Sequence, residues 1–298
     1  MDEDNGHYRA YVSKKFRPEA MEMIRQANII IQEYERQNYS LTLRQLYYQF
    51  VARDLLPNQQ AHYKRLGDVI SDGRMAGLIS WTAIEDRTRN LMGLNTYNGP
   101  AAAIRAAAAD YRIDLWANQA WRPEVWVEKE ALAGVIGSIC NKLRVNFFAV
   151  RGYNSQSEQW RAGRRFAGYV AKGQRPIVFH LGDHDPSGID MTRDNRERLE
   201  MFAGTPVIVQ RLALNMNQIE ELKPPPNPAK QTDSRFDDYR LKYGDESWEL
   251  DALDPRYITD LISGAVAKIR DDELWDEALE QEVSDKRALD DIIEGLST

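Results

Sequence analysis

From residue 123 onward, short apolar runs rich in β-branched and aromatic residues alternate with longer stretches whose apolar positions recur every three or four residues. The first pattern is that of buried strands and the second that of helices. The spacing predicts strands over 124–128, 145–150, 176–182 and 205–213, and helices over 130–143, 156–171 and 187–202. Such alternation implies an α/β unit, a mostly parallel sheet covered by helices, with ligands at the carboxyl ends of its strands. The first hundred residues read differently. After an arm at 1–15, Pro18 opens a helix with Ile24, Ala27, Ile31 and Tyr34 on one stripe. Ser40 or Thr42 caps a second over 42–53, and a third runs from 59 to 76, ending at Gly77. Leu78 to Ile84 is short, apolar and β-prone. Helix, turn, helix and then a strand pair predict a winged helix, whose second helix commonly enters the major groove.

The remaining segments are connective or C-terminal. Asn98-Gly99-Pro100 is a turn before an Ala-rich helix over 101–111. Pro224-Pro225-Pro226-Asn227-Pro228 and the polar stretch to Tyr243 predict a mobile loop. Asp254 and Pro255 start a helix with Ile258, Leu261, Ile262, Ala265 and Ile269 on one face, and acidic helix follows 270. The expected division is 1–97, winged helix with its arm; 98–122, helical linker; and 123–298, the α/β domain with C-terminal helices, an α+β chain overall.

Two of the apolar runs end in carboxylates. Val125-Trp126-Val127 leads into Glu128-Lys129-Glu130, and Ile177 to Gly182 leads into Asp183-His184-Asp185-Pro186. Side chains two apart on a strand share a side, so Asp183 and Asp185 point together. Glu128, 55 residues earlier, supplies the third carboxylate of a cup suited to Mg²⁺ or Mn²⁺. The plainer alternative makes Asp183 and Asp185 turn residues before Pro186. Arg151-Gly152-Tyr153-Asn154 ends another strand, where Gly152 serves a tight turn or a close phosphate. On the second helix, Leu43, Leu46, Tyr47 and Phe50 form the apolar face, while Arg44 and Tyr48 share another side. A phenol beside a guanidinium suits phosphoryl transfer, the Arg holding the phosphate and the phenolate attacking; an amphipathic surface Tyr is the other reading.

Charge changes the picture by its distribution. The whole chain of 298 residues has a net charge of −7, but residues 233–298 alone carry 20 acidic and 8 basic side chains. Everything before them is mildly basic, which permits a phosphate-binding surface. The acidic tail reads as a solvated helical face or as a docking element. On the third helix and beyond the next strand, Lys64, Arg65, Arg74, Arg87 and Arg89 are the candidates for DNA contact, or else surface charges on a helical hairpin. The single cysteine, Cys140, excludes an internal disulfide and reads as a buried, inert thiol. No apolar run reaches a membrane span and no signal peptide is present, so the expected location is the cytoplasm. No phosphate-binding Gly-x-x-x-x-Gly-Lys-Ser/Thr loop occurs.

A Glu after a strand, followed some fifty to sixty residues later by Asp-x-Asp, resembles the Toprim domain of topoisomerases, primases and related nucleases. The fuller runs Val127 to Glu130 and Gly182 to Asp190 resemble the A subunit of topoisomerase VI and its meiotic double-strand-break relatives. So do Arg44-x-x-Tyr47-Tyr48 on a winged-helix helix and Glu249-Leu250-Asp251-Ala252-Leu253 near the C-terminus. His184 and Ser187 depart from the family, which usually has Gly between the aspartates and an aromatic after the Pro. The resemblance implies a short, free-standing member, bacterial, archaeal or phage-encoded, that cleaves double-stranded DNA through a 5′-phosphotyrosyl bond on Tyr48. Arg44 would assist, and Glu128, Asp183 and Asp185 would hold Mg²⁺, with Glu249 or Asp190 as accessory acids. It also implies a homodimer in which the Tyr of one protomer faces the metal of the other. Any ATP-driven strand passage would need a separate GHKL-type ATPase. The alternatives are a Toprim nuclease that uses metal-activated water and a non-catalytic DNA-binding subunit.

Overall fold

Three helices come first in the computed structural model, which describes residues 7–36, 40–84, 94–149 and 155–295. Helix α1 (Pro18–Glu35) carries Pro at its first turn and buries Ile24, Ala27, Ile31 and Tyr34, as its stripe predicts. Helix α2 (Leu43–Ala52) is started by a capping box in which Thr42 and Gln45 satisfy each other's backbone amides. Helix α3 is Gln60–Met75. Leu46, Phe50, Leu66, Ile70 and Ile79 close a core between the three helices and α1's stripe, and Ala252 joins it from the far end of the chain.

The expected strand over 78–84 is not formed. These residues turn, and Leu41 and Ile84 make one isolated parallel bridge. The donors a strand would offer a neighbour go elsewhere. Trp81 gives its backbone N–H to the His7 carbonyl at 2.8 Å and its indole N–H to the Arg9 carbonyl at 3.1 Å, and the Ser80 and Thr82 hydroxyls bond each other. The arm is thereby laid along the end of α3, where Tyr11 and Val12 also bond the Met75 carbonyl. Among the described residues no strand pair completes a wing; Arg87 and Arg89 lie outside the described residues, as does the 151–154 turn.

After α4 (Pro100–Asp110) the alternation read from the sequence is realised: β1 (Trp121–Val127), a 3₁₀ turn at Glu130–Leu132, α5 (Ala133–Lys142), β2 (Asn146–Ala149), α6 (Gln156–Ala171), β3 (Arg175–Leu181), α7 (Pro186–Ala203) and β4 (Ile208–Ala213). The four strands are all parallel, in the order β2-β1-β3-β4. Period-two alternation splits each strand between two cores. Val125, Val127, Ile177, Phe179 and Leu181 face α5 and the C-terminal helices α10 (Pro255–Ala267) and α11 (Asp272–Gly295). Trp126 and Val178 face Phe166 of α6 and Leu199 of α7. Cys140 is buried in the first of these cores, and burial pushes its thiol up to about 12, so it is unreactive.

The segment expected as a mobile loop is structured. Between α8 (Met216–Leu222) and α10 lie a two-residue strand β5 (Asn227–Pro228), helix α9 (Phe236–Tyr243) and β6 (Glu246–Ser247), with β5 and β6 paired antiparallel. Its polar composition hides a small core of Ala229, Phe236 and Tyr239 that closes against Ile189. No helix among the described residues is long and apolar enough to cross a membrane.

Candidate active site

Strands β1 and β3 are neighbours, with Val127 opposite Leu181, so Glu128 and Asp183 leave the sheet together. The Glu128 amide still bonds the Leu181 carbonyl at 2.9 Å, and its Oε2 accepts the Asp183 amide at 3.0 Å. Two glycines make room for that carboxylate. A Cβ at Gly182 would stand 2.8 Å from Glu128 Oε2, and one at Gly188 3.0 Å from it. Burial, then the neighbouring Asp183 charge, pushes the Glu128 carboxyl up to about 8. Burial also raises Asp183, to about 6, against the pull of Lys129. Asp183 Oδ1 accepts the Leu250 amide at 2.8 Å, which ties this strand end to the segment after β6. Asp185 caps α7: its Oδ1 accepts the Gly188 amide at 2.6 Å and the Ser187 hydroxyl at 3.0 Å. That is the turn role the Pro186 neighbour suggested. Its charge nonetheless adds to the upward push on Glu128, which feels both aspartates.

Lys129 and Arg44 extend this cluster to the N-terminal helices. Lys129 Nζ lies 2.9 Å from Asp183 Oδ2, 2.6 Å from Glu249 Oε2 and 3.7 Å from Asp251 Oδ1. Arg44 pairs with Glu249 through one terminal nitrogen and lies 2.8 Å from Asp251 Oδ2 through Nε. Against the cost of burial, Lys129 and Arg44 hold Glu249 below the usual carboxylate range. Asp251 is 1% exposed; Arg44 Nε meets its Oδ2 off the bonding direction, and Lys129 at 3.7 Å from its Oδ1 stands beyond hydrogen-bond reach. Burial leads in raising its carboxyl.

Tyr48 completes the arrangement. The Arg44 guanidinium sits 5.8 Å from its ring centroid. The sequence reading put Tyr48 off the core face; instead it is 4% exposed, as is Tyr47. The second helix is covered on that side by the 3₁₀ turn Leu250–Ala252, which the helical wheel of α2 alone does not contain. Burial, then the Glu249 and Asp251 charges, pushes the Tyr48 phenol up to about 12, with Arg44 opposing. The Tyr47 hydroxyl bonds the Pro57 and Gln59 carbonyls at 3.0 Å each. Arg44, Tyr48 and Glu249 open onto a cavity of about 300 Å³ walled by Asn58, Gln60 and Tyr63. All of these groups belong to one chain.

Other candidates fall outside the cluster. Asp190 is committed to Arg193 at 2.7 Å and Arg235 at 2.9 Å. Arg74 turns inward to the Ile84 carbonyl rather than outward to a phosphate. Arg65 pairs with Glu19 at 2.6 Å, and Lys64 is exposed. Sequence reasoning missed Lys129 and Asp251 as site residues, although both lie inside the motifs it singled out. It also missed Arg211, a lone cation in the apolar run of β4, whose buried guanidinium donates to the carbonyls of Gly182 (2.9 Å), Asp183 (2.6 Å) and Gly188 (2.8 Å). Among the described residues, no group of three or more His, Cys, Asp or Glu side chains is already arranged to hold a metal ion. Lys129 engages Asp183, and Asp185 is turned to the first turn of α7. No family model matches the chain, and no curated protein matches its sequence.

Proposed function

We propose that the chain cleaves DNA by transesterification, Tyr48 attacking a backbone phosphorus beside Arg44. The observation that carries this reading is the continuous charge network from Arg44, next to Tyr48, through Glu249 and Lys129 to Asp183. The new bond joins the Tyr48 oxygen to phosphorus and the P–O3′ bond breaks. The phenolic proton ends on the departing 3′-oxygen, so one phosphodiester replaces another and the step is reversible. A phenol held near 12 attacks as it loses its proton, not as a standing phenolate. Arg44 offers its charge to the phosphate oxygens as negative charge develops.

The donor set supports a divalent cation. Glu128, Asp183, Asp185, Glu249 and Asp251 bring five carboxylates against three cations, Lys129, Arg44 and Arg211, so full ionisation of all five would leave two negative charges. One Mg²⁺ or Mn²⁺ offsets these, and all-oxygen ligands suit either ion. Glu128, Asp183 and Asp185 would hold it, and when bound it would supply Lewis-acid stabilisation of the phosphate. The glycine cradle around Glu128 Oε2 keeps that carboxylate free of side-chain crowding.

The burial of Tyr48 favours a second reading, in which metal-activated water cuts and Tyr48 is structural. Denaturing gels that detect protein-linked DNA in Mg²⁺ or Mn²⁺ separate the two. The transesterase forms an adduct that Tyr48→Phe and Asp183→Ala each abolish. Unlinked cleavage by Tyr48→Phe at the wild-type rate, lost in Asp183→Ala, establishes the hydrolytic nuclease instead.

A further inference from the structure

Residues His7 to Arg17 hold four cations, Arg9, Lys14, Lys15 and Arg17, and no acid, although the chain as a whole is acidic. The segment forms neither helix nor strand, and its main chain does the anchoring. The His7 carbonyl accepts the Trp81 amide, the Arg9 carbonyl accepts the Trp81 indole N–H, and the Tyr11 and Val12 amides donate to the Met75 carbonyl. At Gly77 φ is +72°, and an added Cβ would stand 2.6 Å from the Tyr8 carbonyl, so only glycine lets the arm lie this close to the end of α3. The aromatic side chains are left in water: Tyr8 is 41% exposed, Tyr11 60% and Trp81 37%. Tyr11 and Trp81 meet edge to face with centroids 5.6 Å apart, and the Arg9 guanidinium lies 5.4 Å from the Tyr11 centroid. Lys14 pairs with Asp72, whereas Arg9, Lys15 and Arg17 meet no acid among the described residues.

Rings held in place yet exposed, with unpaired cations beside them, are the parts of a stacking platform for unpaired bases. A duplex offers its phosphates to such cations but keeps its base faces stacked inside. A membrane takes up basic aromatic segments chiefly as amphipathic helices. This one is pinned in a non-helical form, with Val12 as its one exposed branched aliphatic side chain. We propose that the arm and Trp81 form a binding surface for single-stranded DNA, in which bases stack on Tyr11 and Trp81 and phosphates meet Arg9, Lys15 and Arg17. The choice of DNA over RNA rests on the cleavage reading above; the stacking surface itself does not, and it shares no residue with the Tyr48 cluster.

Fluorescence anisotropy of the full chain with labelled oligo(dT), in EDTA, tests this without reference to cleavage. Wild type is expected to bind oligo(dT) roughly 5-fold or more tighter than an abasic strand of the same length, which keeps the phosphates and lacks the bases. Tyr11→Ala, checked for folding by circular dichroism, should lose roughly 5-fold or more on oligo(dT) and nothing on a duplex of equal length, and Tyr11→Phe should bind as wild type does. Replacing Arg9 and Lys15 together by Gln should reduce the slope of log affinity against log salt by roughly 1.4. Equal affinity for oligo(dT) and the abasic strand overturns the proposal. So does a Tyr11→Ala chain that binds oligo(dT) as wild type does, or that loses single strand and duplex alike. Tighter binding of oligo(rU) than of oligo(dT) makes the surface an RNA site and overturns the DNA assignment. Binding to phosphatidylserine vesicles that Tyr11→Ala abolishes, with no binding of oligo(dT), makes it a membrane surface instead. None of these readings involves the Tyr48 chemistry, so the cleavage proposal stands or falls separately on the denaturing gels.

Discussion

At the scale of single residues, Tyr48 and Tyr47 sit side by side, equally buried, with different neighbours at their hydroxyls. Tyr48→Phe removes one oxygen next to Arg44 and is expected to abolish cleavage and adduct together. Tyr47→Phe is expected to cut normally but to lose about 1–2 kcal/mol of stability, because its hydroxyl serves the Pro57 and Gln59 carbonyls. Arg44→Ala should lower the cleavage rate on the order of 10²-fold or more, through lost stabilisation of the charged transition state. Denaturing gels and urea melts on the three variants check each statement. His180 gives the pH dependence. It is buried in β3, bonded to Thr192 at 2.8 Å, and burial followed by the Arg211 charge pushes its ring down to about 3. The folded form is neutral, so below pH 6.5 the unfolded chain binds a proton that the fold refuses. Stability therefore falls with decreasing pH between 6.5 and 3, by up to about 1.4 kcal/mol per unit from this group. His184, pushed down to about 4 mainly by burial, adds to the fall. Glu128 and Asp183, both raised, act in the opposite sense. The contribution of His180 is thus read by difference: His180→Asn should have a shallower loss of urea midpoint from pH 7 to 5 than wild type. Equal slopes would rule the assignment out.

At the scale of elements, the parallel unit was legible because its central strands β1 and β3 are buried on both faces and the helices between strands carry apolar stripes, so local pattern and final burial coincide there. Thr42 and Asp254 also announced their helices as caps. The failures have a common cause, which is that partners far along the chain decided the outcome. Residues 78–84 have strand-like composition, but the arm takes their donors. The 224–247 segment is rich in Pro and polar residues, yet Tyr239 organises it, its hydroxyl standing 3.0 and 2.9 Å from the His184 and Glu246 carbonyls and 2.8 Å from His184 Nδ1. Nothing local to residue 239 signals a bond 55 positions away. For the cluster, the adjacency of Glu128 and Asp183 was readable from the strand ends, whereas Asp251 joins them only when the 3₁₀ turn is laid against α2. Since Tyr239 holds α9 to the Asp183–Asp185 turn, Tyr239→Phe is expected to cost about 1–3 kcal/mol and to expose 230–243 to protease before global unfolding. Limited proteolysis with mass mapping checks this; cleavage sites unchanged from wild type would mean that the small core of Phe236 and Ala229 suffices alone.

At the scale of the whole molecule, the proposed cleavage bears on how many chains a duplex break would need. On the proposed cleavage, one Tyr48 and one carboxylate cluster would serve one strand, so a double-strand break would require two chains, most simply related by a two-fold axis. Light scattering of the chain with duplex DNA is expected to show two protomers. The resemblance noted in the sequence implies that each tyrosine crosses to the partner's metal. We expect the opposite assignment, because Arg44 contacts Glu249 and Asp251 of its own chain, and the charges of those two residues act directly on Tyr48. Mixing two inactive variants distinguishes the arrangements. In a preparation of Tyr48→Phe and Asp183→Ala chains, a crossed dimer contains one site with both groups intact and nicks one strand, leaving protein on the DNA. If each site is completed within one chain, no protomer in the mixture has both groups, and the mixture stays as inactive as its parts. The second outcome is expected from the Arg44 contacts. Nicking by the mixture, with adduct on the Asp183→Ala chain, would move the active site to the dimer interface and make the Arg44–Glu249 pair a feature of the isolated chain that is exchanged on assembly.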